Sequence, residues 1–412
     1  MLPPLLDVTL DDLGDYHVSL TETGKRCHFL QFLINASNFT WRKKAPTEDD
    51  IASNSQHLVS KLCAFGYLCN SYKDMGNAKA VIAMDGKIQD FDEANGRTGK
   101  SLLGLALKQV FPRNKSLDGK ALGVGNNNRQ FIWEGLDERS RIVIGDDLMK
   151  DFDFDSLFSL ITSDWPVNPK GQTAYTIPFV KAPKIYLSSN FSVSGDGSSY
   201  RARQWPLAFS DFYNEEHQPV QDFGALFFEE WDTDQWTLFW NLVAQCIQMY
   251  FRFGYVPAPD NRLEDRRLAQ QIGEDFMSWA DEYFEPANAH LNIRILRKEM
   301  YGNFIEHVQS ARGSKVSYSP KTFSMRLGYY TRLKKLFLNP HLYNPATGAW
   351  NSYDKDGRPI KRDTSNGCEY FVIGDPDYYN THAPGVPVSA IPENLPEISA
   401  TLQLDTEDDI PD

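Results

Sequence analysis

The run Ala94 Asn95 Gly96 Arg97 Thr98 Gly99 Lys100 Ser101 fits a short pattern: alanine or glycine, four variable residues, glycine, lysine, then serine or threonine. It leads straight into an apolar helical stretch, Leu102 to Phe111. A loop of this kind bends so that successive backbone N–H groups converge on phosphate oxygens at a helix N-terminus. Lys100 then reaches the β and γ phosphates, and the Ser101 hydroxyl ligates Mg2+. The pattern therefore predicts an enzyme of nucleoside triphosphates in an α/β setting. The plainer reading, a glycine-rich turn capping an ordinary helix, loses weight through what lies downstream.

Five short apolar segments alternate with helical ones between residues 79 and 213: Ala80 to Met84, Ala121 to Val124, Arg141 to Ile144, Lys184 to Ser188 and Leu207 to Phe209. That alternation predicts a parallel-sheet domain. Residues 1–78 read as helical, with apolar spacing through His28 to Ile34 and Ile51 to Leu68 on either side of the breaker-containing Lys43 to Asp50. Residues 214–285 form a helical connector and 286–340 a compact mixed unit. Residues 341–412 read as loops running into an acidic tail.

A phosphate loop needs a second acidic site at the end of a neighbouring strand, one carboxylate for Mg2+ and another to polarise the attacking water. Arg141 Ile142 Val143 Ile144 Gly145 Asp146 Asp147 supplies it, as the metal and water site. Next, Lys184 Ile185 Tyr186 Leu187 Ser188 Ser189 Asn190 is an apolar strand ending in an amide suited to both the γ-phosphate and the lytic water. Between them, Asp164 to Thr173 carries hairpin turn residues with Lys170 at its tip. Two arginines, Arg201 and Arg203, precede the strand ending at Phe209. A permanently charged planar guanidinium suits a phosphoryl transition state, and either could act on a neighbouring subunit's ATP.

With 412 residues and 41% apolar content, the chain can bury a sizeable core. The cysteines, Cys27, Cys63, Cys69, Cys246 and Cys368, have no C-x-x-C spacing, so neither a disulfide frame nor a zinc site is indicated. The most apolar helix, Trp236 to Phe253, carries Asn241, Gln245, Gln248 and Arg252, which are costly in a bilayer. A soluble cytoplasmic protein is expected. A net charge of −13 argues against coating nucleic acid by bulk attraction. Charge is unevenly spread, however. His307 to Tyr353 holds no Asp or Glu, while Glu393 to Asp412 holds no basic residue.

In order and content these motifs resemble those of the superfamily 3 helicases, hexameric AAA+ motors of small DNA viruses, phages and plasmids. The likeness extends to the helicase half of phage, plasmid and poxvirus-type primase-helicases. The stretches EANGRTGKSLL, RIVIGDDL, NPKGQTAYTIPFVKAPKIYLSSN and YRARQWPLAFSDFY carry it. The resemblance implies an AAA+ P-loop NTPase core over 79–213, an N-terminal helical collar over 1–78 and a helical lid or connector over 214–285. It gives ATP-binding roles to Ala94 through Ser101, metal roles to Ser101 and Asp146, and catalytic roles to Asp147, Asn190 and Arg203. Lys170 would ride on a channel-lining hairpin, and Arg203 rather than Arg201 sits at the finger distance, acting in trans within a ring. The sequence departs from the family's pattern at Ala94 (usually glycine), at Asp147 (commonly glutamate), and in the stretch Asp85 to Glu93 between strand and loop.

Two short helices, Leu296 to Ile305 and Ser319 to Leu327, followed by basic residues, suit a winged-helix-like module. The poxvirus-type relatives carry such a domain after the motor. Its DNA-binding candidates are Lys321, Arg326, Arg332, Lys334 and Lys335. The leading expectation is an ATP- and Mg2+-dependent DNA helicase for a phage or mobile element in a bacterial cytoplasm. Its partners would be single- and double-stranded DNA and copies of itself, with priming left to a separate polypeptide. The alternative is an origin-binding initiator that uses ATP only as an assembly ligand.

Overall fold

The computed structural model describes residues 3–86, 97–122, 131–149, 152–191, 198–259, 268–269, 271–312, 318–344, 349–350 and 363–378. The N-terminal unit begins with a hairpin, β1 (Leu6–Leu10) and β2 (Tyr16–Leu20), before helices α1 (Glu22–Lys25), α2 (His28–Asn35) and α3 (Glu48–Cys69). This corrects the all-helical expectation for residues 1–78. Leu6 and Val8 point inward while Asp7 points out, a period of two that five residues reveal only weakly. The reversal is made by Gly14 at φ +90° and by Asp11, whose carboxylate accepts the N–H groups of Leu13 and Asp15. At the start of α3, Thr47 and Asp50 cap each other reciprocally, and Glu48, Asp49 and Asp50 place negative charge in its first turn.

Next come β3 (Ala80–Asp85), α4 (Lys100–Val110), β4 (Asn114–Asp118), β5 (Ile142–Leu148), α5 (Phe158–Thr162) and the β6 (Trp165–Val167)/β7 (Tyr175–Ile177) hairpin. β8 (Lys184–Ser189), α6 (Ser198–Arg203) and β9 (Gln204–Phe209) complete the domain. Five strands pair in the order β4-β5-β8-β3-β9, all parallel. Both faces of β3, β5, β8 and β9 are covered, which is why those strands are apolar on successive residues. Val81, Ala83, Ile144, Tyr186 and Leu207 look toward a core built with α2, α3, α4, α7 (Pro219–Phe223) and α8 (Thr233–Phe253). Ala80, Ile82, Val143, Ile185 and Leu187 look toward a second core with Trp165, Phe154 and Ile177.

One expected strand is corrected. Ala121 and Leu122 belong to a 3-10 turn, and the edge strand is instead β4, whose half-exposed Asn-Lys-Ser-Leu-Asp sequence carries almost no apolar signal. Val124 lies outside the described residues.

The C-terminal unit has its own core, in which Phe276, Trp279, Met300, Phe304, Phe323 and Ile373 are buried together. Its elements are α9 (Glu274–Tyr283), β10 (Arg294–Leu296), α10 (Arg297–Arg312), α11 (Pro320–Leu333), β11 (Phe337–Leu338), β12 (Tyr343–Asn344), β13 (Ala349–Trp350), β14 (Asp363–Ser365) and β15 (Cys368–Gly374). The antiparallel order is β10-β15-β11, with β14 on β15. β15 corrects the reading of everything past Pro340 as loops. Its Phe371, Val372 and Ile373 are buried at the centre of this sheet. Ser319 caps α11 by accepting the N–H of Thr322, with Pro320 at the first position.

Candidate nucleotide site

β3, β8 and β5 are consecutive neighbours, so residues at their C-terminal ends stand side by side at strand spacing, where α/β sheets bind ligands. Those residues are Asp85, Ser188 to Asn190, and Asp146 with Asp147. The loop before α4 delivers Arg97 through Ser101 to the same edge. Arg97, Thr98, Lys100, Ser101, Asp146, Asp147, Ser188 and Asn190 line one cleft of about 660 Å³. Ala94, Asn95 and Gly96 lie outside the described residues.

Gly99 enters α4 with φ +93°, and a Cβ there would stand 2.5 Å from Phe32 Cε2 of α2. Only glycine fits both demands. Lys100, 6% exposed, forms an ion pair with Asp85, 2% exposed, and donates to Thr98 Oγ1 at 3.1 Å. Thr98 in turn donates to Asp85 Oδ1 at 2.5 Å. The other end of Lys100 is fixed by Tyr186, whose hydroxyl donates to the Lys100 carbonyl at 2.7 Å. Burial and the nearby Asp146 push that phenol well up, so it stays a neutral donor.

The two aspartates reach one cleft because β5 is irregular. In a regular strand Asp146 and Asp147 would face opposite sides. The register shifts between Gly145 and Leu148, and Asp147 adopts φ +61°, which turns both carboxylates toward the site. Ser188 holds the distortion: its hydroxyl donates to Asp146 Oδ1 and accepts the Asp147 N–H at 3.1 Å. Ser101 Oγ lies 3.1 Å and 3.2 Å from the Asp146 carboxylate oxygens, and Asn190 Nδ2 donates to Asp147 Oδ1 at 3.1 Å. One hydroxyl and one carboxylate are hard oxygen donors, and Mg2+ commonly completes its shell with water and phosphate. Among the described residues no group of three or more His, Cys, Asp or Glu gathers as a metal cage.

The rest of the lining is mainly apolar. Leu102 and Leu105 of α4, together with Pro219, Val220, Ala225, Leu226 and Phe227, line the same cleft, and Leu105, Val220 and Leu226 are exposed hydrophobics. Sequence reasoning missed this apolar lining, as it missed Asp85 and Ser188. An acid ending a buried strand just ahead of a phosphate loop was the available signal for Asp85. Most of these apolar residues, Val220 and Ala225 to Phe227, come from a segment more than a hundred residues away, with no local mark.

The remaining candidates lie apart from the cleft. Arg203 is half-buried at the end of α6, its guanidinium 4.8 Å over the Phe158 ring and donating to the Ser199 carbonyl at 3.1 Å. Arg201 is exposed beside it. Lys170 is exposed at the tip of the β6/β7 hairpin, next to Gly171 at φ +70°. In the C-terminal unit Lys321, Arg332 and Lys335 are exposed. Arg326 instead stacks 4.9 Å over Tyr318, and Lys334 pairs with Asp281 at 2.7 Å. Those two are engaged by their own unit's packing.

Among the described residues no helix is long and apolar enough to cross a membrane. No protein-family model and no curated protein matches the sequence. Among solved structures, the chain is similar to JCV helicase bound to a thiazolopyridinyl-phenoxyphenyl acetamide, with 13% identity and a TM-score of 0.29 over 69% of this chain and 66% of that one. It is also similar to the A-form apo structure of the NrS-1 C-terminal region, with 13% identity and a TM-score of 0.38 over 89% of this chain and 83% of that one.

Proposed function

We propose that this chain is an ATP-driven DNA helicase of the superfamily 3 AAA+ type, working as a ring in the replication of a phage or mobile element. One observation carries the reading: loop lysine, loop serine, paired aspartates and strand-end asparagine, drawn from two adjacent parallel strands and one helix start, meet in a single cleft. Lys100 would hold the β and γ phosphates. Ser101 and Asp146 would hold Mg2+, which when bound offsets the phosphate charge. Asp147 would orient and deprotonate the lytic water, with Asn190 fixing the carboxylate through the hydrogen bond already present. The apolar lining of Leu105, Val220 and Leu226 would take the nucleobase. Arg203, outside its own cleft, would serve a neighbouring copy's γ-phosphate.

The C-terminal unit's helix, strand and two helices, followed by β11, β14 and β15 of one antiparallel sheet with β15 central, support a winged-helix reading. α11 and the exposed Lys321, Arg332 and Lys335 are then the surface offered to duplex DNA. Lys170 would touch single-stranded phosphates.

The test is displacement of a labelled strand from a forked duplex with ATP and Mg2+, alongside ATP turnover with and without single-stranded DNA. The helicase reading expects strand separation and stimulated turnover, both lost in Lys100→Ala. Specific duplex binding with ATP but no strand separation would replace it with the initiator reading, which the same C-terminal unit favours.

A further inference from the structure

Resting on the nucleotide-site reading, we propose that Asp85 is a built-in stand-in for phosphate, holding Lys100 until a triphosphate displaces it and thereby setting the loop's phosphate affinity. The Lys100 ammonium and the Thr98 hydroxyl converge on one oxygen, Asp85 Oδ1, and bond each other as well. This is the donor arrangement such a loop offers a phosphate oxygen, closed here around a carboxylate of the same chain. Asp85 cannot follow a ligand. It pairs in register with Phe209 inside the sheet, and the next residue, Gly86, donates its N–H to the Phe209 carbonyl at 2.8 Å. Lys100 hangs on a flexible four-carbon stem, so Lys100 is the partner that moves. The pair is almost fully buried, where a charge-assisted bond is stronger than in water. An incoming phosphate must therefore outcompete it, and a departing phosphate leaves faster because the carboxylate reclaims the lysine.

Asp85→Asn keeps the shape and the acceptor for Thr98 but removes the competing charge. Calorimetry with ATP and with inorganic pyrophosphate should show dissociation constants lower by about tenfold, with binding of adenosine unchanged. In steady state KM should fall while kcat does not rise, because product phosphate is held longer. Asp85→Glu, which restores the charge, should return both constants toward wild type. Unchanged or weaker pyrophosphate binding in Asp85→Asn overturns the proposal. If that variant does not fold, the structure of the wild-type chain with ADP decides. Lys100 Nζ should then sit beyond about 4 Å from Asp85, and an intact pair beside bound phosphate overturns the proposal. A wild-type chain that binds neither ATP nor pyrophosphate removes the nucleotide reading itself, whereas normal wild-type binding with an unaltered Asp85→Asn removes only the latch.

Discussion

Gly99 carries two independent demands, a left-handed φ and a Phe32 ring where a Cβ would sit. Gly99→Ala therefore has to distort the loop, at a cost of about 1–2 kcal/mol from φ alone. ATP affinity measured by calorimetry should drop at least about tenfold, and unchanged affinity would show that the loop tolerates another geometry. Lys61 offers a pH test. It is fully buried on α3, its amine 5.1 Å from the Phe209 ring and 6.0 Å from Phe39, with His57 one turn earlier against Phe39. Burial pushes its amine down to about 7, from an ordinary value of 10.5. The unfolded chain then binds the extra proton between these values, so stability rises with pH from about 7 to 10.5, and the penalty is greatest at and below pH 7. Lys61→Met should raise the urea-unfolding free energy by on the order of 3 kcal/mol at pH 6.5 and by much less at pH 10. An equal gain at both would contradict this. Lys100 and Ser101 were legible as residues because their motif is contiguous. Asp85 and Ser188 were not, because their roles exist only once β3, β5 and β8 lie side by side.

At the scale of elements, the β5 distortion is the device that brings two sequential aspartates to one side. Asp146→Asn removes the charge facing Ser101 and should lower Mg2+-dependent turnover by about 10² to 10³, while ATP binding without Mg2+ stays near wild type. Loss of both alike would mean that the carboxylate holds the fold rather than the metal. Four of the five sheet strands were legible, since burial on both faces writes an uninterrupted apolar run. β4 was not, because it is half-exposed along its whole length, whereas β9 at the other edge is largely buried. The β1/β2 hairpin was too short to declare its period. β15 was hidden among the Asn, Gly, Pro and Tyr of its flanks, and its partners β10 and β11 lie more than thirty residues before it.

At the scale of the molecule, the described residues form three buried clusters, two sandwiching the parallel sheet and one confined to the C-terminal unit. A chain ending at Pro259 should thus retain ATP turnover and lose duplex binding, seen by fluorescence anisotropy. Loss of turnover would mean that the C-terminal unit completes the motor. Arg203 lies outside the cleft of its own chain, and on the proposed ring reading it would act on a neighbour's ATP. Arg203→Ala should cost about 10³ to 10⁵ in rate, and mixing it with Lys100→Ala should restore part of the activity. Whether this one cleft binds and hydrolyses ATP is read most simply from steady-state ATP hydrolysis by wild type and Lys100→Ala. Wild-type turnover should depend on Mg2+ and fall by about 10³ or more in the variant. Turnover that survives the loss of Lys100 would contradict that role for the cleft.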